Sequence, residues 1–237
     1  MDAEAVGFGY SGVNANRTKV APRSVKMKQV VDRRGILKGI ATAGAVLAAP
    51  SLGSSKVFAQ ASAATDQQRR ILEVARRELS RVENSIWRHD IVGVADFGLP
   101  SSLPRLHFAN LISGEVRSFL VAHGRGSDPE HDGFLKWFSN VPGSEATSRG
   151  AYITYEWYTG KYGTSIRLGG MDAENCNALE RSIVMHPAWY AAPDMLARYG
   201  KLGRSEGCFA MAPGDFNEAL WNLSGGRLLF ADRIGDA

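Results

Sequence analysis

Between Ile91 and Leu168 the chain is cut into short apolar runs that never lengthen into a helix. The runs cover 91–97, 105–111, 115–122, 151–157 and 165–168, and clusters of Gly, Pro, Ser and Asn separate them. Val, Ile, Phe, Tyr and Trp suit a pleated, half-buried surface, and the turn residues end each run before a helical period can develop. Successive strands without crossover helices pair mainly antiparallel, so a mainly β sandwich or barrel is expected. Ser182-Ile-Val-Met185 reads as a further buried strand and Arg227-Leu-Leu-Phe230 as the closing one. Between them Phe216, Ala219 or Leu220 and Leu223 repeat at helical spacing until Ser224-Gly225-Gly226 stops them.

Upstream of the strands, Ile71 or Leu72, Ala75, Leu79, Val82 and Ile86 recur at three- and four-residue steps, with Arg69, Arg70, Arg76, Arg77 and Arg81 on the other face. This spacing predicts an amphipathic helix within 62–87, capped by Asp66, with its arginines in solvent. Residues 1–61 read differently, beginning with a stretch that has no apolar period and is expected to be disordered. Arg33-Arg34 precedes an apolar run, 39–49, too short to span a bilayer comfortably, and Ala59-Gln60-Ala61 supplies small residues at the spacing a signal peptidase reads. The leader resembles a twin-arginine export signal, with Ile36 where that pattern usually has Phe. It implies a periplasmic protein with no membrane span after cleavage. Nine of the 28 Lys/Arg but only three of the 24 Asp/Glu lie in 1–61, which leaves 19 basic against 21 acidic residues in the remainder. The formal charge of +4 therefore belongs to the leader, and a nucleic-acid partner loses its electrostatic basis.

The chemistry concentrates between His186 and Cys208. The strand ending at Met185 delivers His186, and Gly203-Arg-Ser-Glu-Gly207 forms a polar, Gly-bounded loop immediately before Cys208. A thiol attacks a carbonyl only as thiolate, so it needs a base such as His186 and positive potential such as Arg204. A helix following Cys208 would add its N-terminal dipole. An oxidising compartment makes a Cys176–Cys208 disulfide the plain alternative, although two cysteines are no disulfide framework and Cys176 reads as structural or incidental. At the end of the third strand, His123-Gly-Arg-Gly-Ser127 is either a tight glycine turn or a second imidazole with Arg125 as a carboxylate site. His131 with Asp128, Glu130 and Asp132 is a weak cation candidate, and no metal is assigned. Tyr190 either walls a cleft or joins the core.

Taken together, Ser182 to Tyr190, the Gly200-Lys-Leu-Gly-Arg-Ser-Glu-Gly-Cys208 loop, the following helix and the closing strand resemble the murein L,D-transpeptidase catalytic domain of the YkuD-like superfamily. The His123 to Ser127 motif narrows the resemblance to one branch of it. The resemblance covers roughly 88–232 and implies an L,D-transpeptidase-like β-sandwich with a few flanking helices, placed here in 88–237. It implies Cys208, His186, Ser205 and Gly207 as the catalytic set, with Arg204, His123, Arg125 and Tyr190 toward substrate and no cofactor. The implied partners are peptidoglycan stem peptides, cleaved at an L,D bond through a Cys208 thioester with release of D-alanine. An amine acceptor makes this a transpeptidase and water makes it an L,D-carboxypeptidase; a non-catalytic cell-wall-binding module that kept the fold is the remaining alternative. The chain carries Glu206 where the commoner motif has His.

Overall fold

The computed structural model describes residues 53–236, with side chains from 65 to 235, so the Arg33-Arg34 leader lies outside the described residues. Helix α1 spans Gly53–Val82, and three 3-10 residues, Glu83–Ser85, lead out of it. Asp66 therefore sits inside the helix, paired with Arg69 at 2.9 Å, rather than capping its start. Ala59, Ala61, Ala63 and Ala64 are strong helix formers and carry the helix N-terminal of the expected boundary, through the Ala59-Gln60-Ala61 stretch itself.

Eight strands follow: β1 (Ile91–Asp96), β2 (Leu106–Asn110), β3 (Val116–Phe119), β4 (Gly150–Gly160), β5 (Gly163–Gly170), β6 (Val184–Pro187), β7 (Phe209–Met211) and β8 (Leu228–Asp232). They are interrupted by α2 (Pro193–Tyr199) and α3 (Phe216–Asn222). All eight join one sheet in the order β3-β2-β1-β8-β4-β5-β6-β7. The expected sandwich is thus a single mainly antiparallel sheet with parallel pairs at β1–β8 and β6–β7. Bridges Ala122↔Ala210 and Gly124↔Ser205 join the chain just beyond β3 to β7 and the loop before it, so the two ends of the sheet meet.

The fold-back buries one core between opposite parts of the sheet. Phe97, just past β1, lies 5.8 Å from Phe209 of β7, and Tyr152 of β4 meets the same ring edge-on at 5.5 Å. Outside, Ile71, Val74, Ala75 and Leu79 of α1 cover Val92, Val94, Ile153, Leu228 and Phe230. Arg81 fixes α1 to the 172 loop through a two-pronged pair with Asp172 at 2.6 and 2.9 Å. α2 belongs to a third cluster with Ala188, Leu202 and Ala210.

Strand alternation then orients the site. Met185, Phe209 and Met211 face the main core, whereas Ala210 faces the third cluster. His186 pairs with Ala210 across the parallel β6–β7 ladder. Since side chains alternate along a strand, His186 shares the face of Ala210, and Cys208 immediately precedes β7.

Candidate active site

The loop before Cys208 is held by its own backbone. Gly203 N–H donates to Tyr190 O at 2.7 Å, Ser205 N–H to His123 O at 2.9 Å, and Arg125 N–H to Ser205 O at 2.8 Å. Ser205 Oγ donates to Cys208 O at 2.6 Å and accepts from Gly207 N–H at 3.2 Å. Gly207 has φ +109°, and a Cβ there would stand 2.8 Å from Ala146 O and from Ile183 Cδ1. Only glycine fits that turn and that approach.

The thiol of Cys208 is 6 % exposed and donates to Ser182 O at 3.7 Å. Burial pushes its pKa up, and Glu206 adds to the rise. The Val184 N–H and the Arg181 guanidinium work in the opposite direction. His186 is 2 % exposed, and burial holds its pKa below 6.5. Its Nδ1 lies 3.0 Å from Pro187 O. A carbonyl can only accept, so Nδ1 carries the proton and Nε2 keeps its lone pair. Tyr162 stacks on this imidazole at 4.5 Å and 22°, and Tyr190 meets it edge-on at 6.5 Å. The thiol is therefore protonated and the imidazole neutral, with the thiol turned toward Ser182 O.

Cys208 opens on a cleft of about 360 Å³ that Glu145, Tyr162, Glu180, Arg181 and Glu206 help to line. Cavities of about 580 Å³ beside α1 and about 460 Å³ beside Lys136 and Arg149 are larger but do not include Cys208; His186 lines none of the three and adjoins the smaller one through Tyr162. Chemistry rather than size singles out the smaller one. Glu145 and Ser182 on its walls have φ +54° and +55°, in the left-handed region that L side chains rarely adopt. Such strain concentrates where surrounding structure imposes a functional geometry.

Not all of the residues singled out in the sequence meet here. Arg204 donates to the carbonyls of Asp128 and Pro129, and Arg125 forms a two-pronged pair with Glu145 and lies 3.6 Å from Glu206. Neither guanidinium is turned to an open carboxylate site. His123 is 1 % exposed between Arg105 and Asp128, not beside the thiol. The loop acids do not converge on His131: its Nε2 contacts Leu202 O at 2.9 Å, and Asp128 is occupied by His123 and by backbone N–H groups. Cys208 leads into β7, and α3 begins at Phe216, so the thiol does not sit at a helix N-terminus. Both cysteines are free.

Arg181, rather than Arg204, is the cation beside Cys208. Its guanidinium donates to Ser139 O at 2.7 Å and to Ala146 O, and it lines the cleft with Cys208. Tyr162, at the β4–β5 turn, was equally unforeseen. Its position in Gly160-Lys-Tyr-Gly163 marks a turn, with nothing to indicate which side chain the ring would cover.

A search of curated proteins returned no match. Solved structures similar to the chain include an L,D-transpeptidase from Mycobacterium smegmatis (15 % identity, 60 % of this chain and 58 % of that one, TM-score 0.36). Others are L,D-transpeptidase 1 from Mycobacterium tuberculosis (13 %, 60 % and 61 %, 0.33) and the helical cell shape determining protein Pgp2 from Campylobacter jejuni (11 %, 60 % and 47 %, 0.37). This chain thus spans less than two thirds of each. The profile of the family described as L,D-transpeptidase catalytic domain (YkuD_2) matches residues 63–231, from within α1 to β8, and the chain belongs to that family.

Proposed function

We propose that this chain is an exported, periplasmic L,D-transpeptidase that acts on peptidoglycan stem peptides through a Cys208 thioester. The observation that carries the reading is the Nδ1–H of His186 tied to Pro187 O. It leaves the Nε2 lone pair available as a base on β6, the strand parallel to the one Cys208 leads into. In the first step the S–H proton passes to His186 Nε2 as sulfur attacks the carbonyl carbon of the L-centre of diaminopimelate, the third stem residue. The C–N bond then breaks, the imidazolium returns its proton to the leaving amine, and D-alanine departs. An acceptor amine attacks the thioester, loses its proton to His186, and releases the thiol.

Cys208 N–H is a natural donor to the oxyanion, joined by Gly207 N–H once that group gives up its long contact with Ser205 Oγ. Ser205 shapes the loop. Tyr190 walls the base, and Arg204 and Arg125 meet substrate only by exchanging their present partners. Among the described residues no helix is long and apolar enough to cross a membrane.

The test is incubation of the mature protein with purified muropeptides, followed by chromatography. Crosslinked dimers are expected, and trimmed tripeptides alone would mean that water is the acceptor. Intact-mass measurement after carbapenem treatment should find an adduct in wild type and none in Cys208→Ala. A free but unmodified wild-type thiol would point to a binding module.

A further inference from the structure

Behind the nucleophile loop lies a row of buried ionisable side chains that the steps above leave unused. Arg105, just before β2, is 0 % exposed, His123 is 1 % exposed, and Asp128 is fully buried. The guanidinium donates through Nε and Nη2 to Val121 O at 3.1 and 3.0 Å, and through Nη1 to Leu99 O at 2.8 Å. Its Nη2 also reaches His123 Nδ1 at 2.6 Å. An arginine nitrogen only donates, so Nδ1 accepts and the neutral ring holds its proton on Nε2. That N–H faces Asp128 Oδ2 at 3.4 Å, and the same carboxylate accepts from Asp132 N–H and Gly133 N–H at 3.0 Å. A cation and an anion are thus joined across a neutral imidazole away from water. A buried ion pair is a poor source of stability, because desolvation cancels much of its attraction.

The backbone beside this row touches both walls of the cleft. On one side, His123 O and Arg125 N–H clamp Ser205, the Arg204 guanidinium holds the carbonyls of Asp128 and Pro129, and a Cβ on Gly124 would stand 2.7 Å from Gly207 N. On the other, Gly124 N–H donates to Thr147 Oγ1 at 2.9 Å, Gly126 N–H to Glu145 O at 3.0 Å, and Thr147 N–H to Ser127 Oγ at 3.0 Å. The 123–127 motif therefore sits between the loop that carries Cys208 and the loop that carries Glu145.

We propose that Arg105, His123 and Asp128 are positioning residues: the buried row fixes the 123–127 strand end, and through it the place of Cys208 Sγ relative to Ser182 O and His186. This rests on Cys208 being the nucleophile. The role explains why a buried ion pair stands where an apolar cluster would also fill the space. It also gives the His-Gly-x-Gly-Ser motif a function distinct from substrate contact.

The test compares the full wild-type chain with His123→Gln and uses Cys176, an exposed free thiol, as internal reference. Iodoacetamide labelling is followed at each cysteine by peptide mass spectrometry from neutral to alkaline pH, alongside the rate and saturation of carbapenem acylation. In a folded variant the Cys208 labelling midpoint is expected to move and the saturated acylation rate to fall about 100-fold, the cost of a misplacement of about 1 Å. Half-saturation and Cys176 labelling should not change. A folded variant that keeps the wild-type Cys208 midpoint and acylation rate overturns the proposal. Should His123→Gln not fold, Asp128→Asn takes its place. Hydrogen exchange of the wild type gives a further check: Ser205 and Arg125 amides should exchange as slowly as those of β8, and exchange as fast as an exposed loop overturns the proposal. If wild type is never acylated, the nucleophile reading fails separately, while the labelling midpoints still decide on positioning.

Discussion

Ser205 Oγ donates to the carbonyl oxygen of Cys208 at 2.6 Å, closing a ring over the three residues that lead to the thiol. The hydroxyl has no proton left for substrate, because its single O–H is spent on that carbonyl while its lone pair receives Gly207 N–H. Ser205→Ala should therefore loosen the turn rather than remove a reacting group. Acylation should slow by roughly 10- to 100-fold, in line with a small misplacement of Cys208. Ser205→Thr, which keeps the donor, should retain more of the rate. Stopped-flow acylation of both variants decides it, and equal loss in the two would contradict this role.

Gly207 tests the same turn from the backbone. Alanine at φ +109° carries conformational strain, and its Cβ would meet Ala146 O and Ile183 Cδ1 at 2.8 Å. Destabilisation of about 1–3 kcal/mol is expected, with acylation lost even in the fraction that folds. Urea denaturation and intact-mass measurement should move together. Wild-type stability in Gly207→Ala would mean that the turn relaxes without cost.

Three buried imidazoles set the response to acid. Desolvation lowers the His107 pKa to about 4, burial and then Arg105 and Arg204 lower that of His123 to about 2, and burial lowers that of His186. Each folded value lies below the unfolded 6.5, so the unfolded chain binds more protons once pH drops under that value. Stability is thus full above about 6.5 and declines as pH falls toward the folded values. By about pH 5, His107 and His123 should each have cost on the order of 2 kcal/mol. The loss begins before carboxylates titrate. A urea midpoint unchanged between neutral pH and about pH 5 would show that these rings are not buried neutral.

Much of this was legible in the sequence, and the misses share a cause. The short runs from Ile91 onward declare strands because a two-residue period needs only four or five residues to appear. Phe209-Ala-Met211 is too short to display it before Ala212-Pro213, so the sequence marks no strand between Cys208 and the helix at Phe216. His186 and Cys208 stood out because their side-chain types carry thiol chemistry wherever they meet. Arg181 did not, since an arginine acquires meaning only from what it reaches, here Ser139 O and Ala146 O some 35 to 42 residues away. His123 stays open in the sequence between a glycine turn and a second imidazole for the converse reason. A neutral histidine in the interior needs a fixed donor, and Arg105 lies 18 residues upstream on a neighbouring part of the sheet.

Tyr162 provides the most direct handle on His186. Its ring lies on His186 at 4.5 Å and 22°, at the tip of the β4–β5 hairpin, where Gly163 takes φ +79° to complete the turn. Burial is the first cause of the lowered His186 pKa, and this ring supplies part of that cover. Tyr162→Ala should let water reach the imidazole and move its pKa back toward 6.5. The acid limb of the acylation rate should then shift to higher pH, because more of the base is protonated at each mildly acidic pH. The plateau at neutral pH should change little, since an imidazole near 6.5 is still mostly neutral there. Tyr162→Phe keeps the stacked ring and should keep the wild-type limb. Acylation rates measured from mildly acidic to neutral pH separate the two variants, and an unmoved limb in Tyr162→Ala would mean that the sheet alone keeps His186 dry.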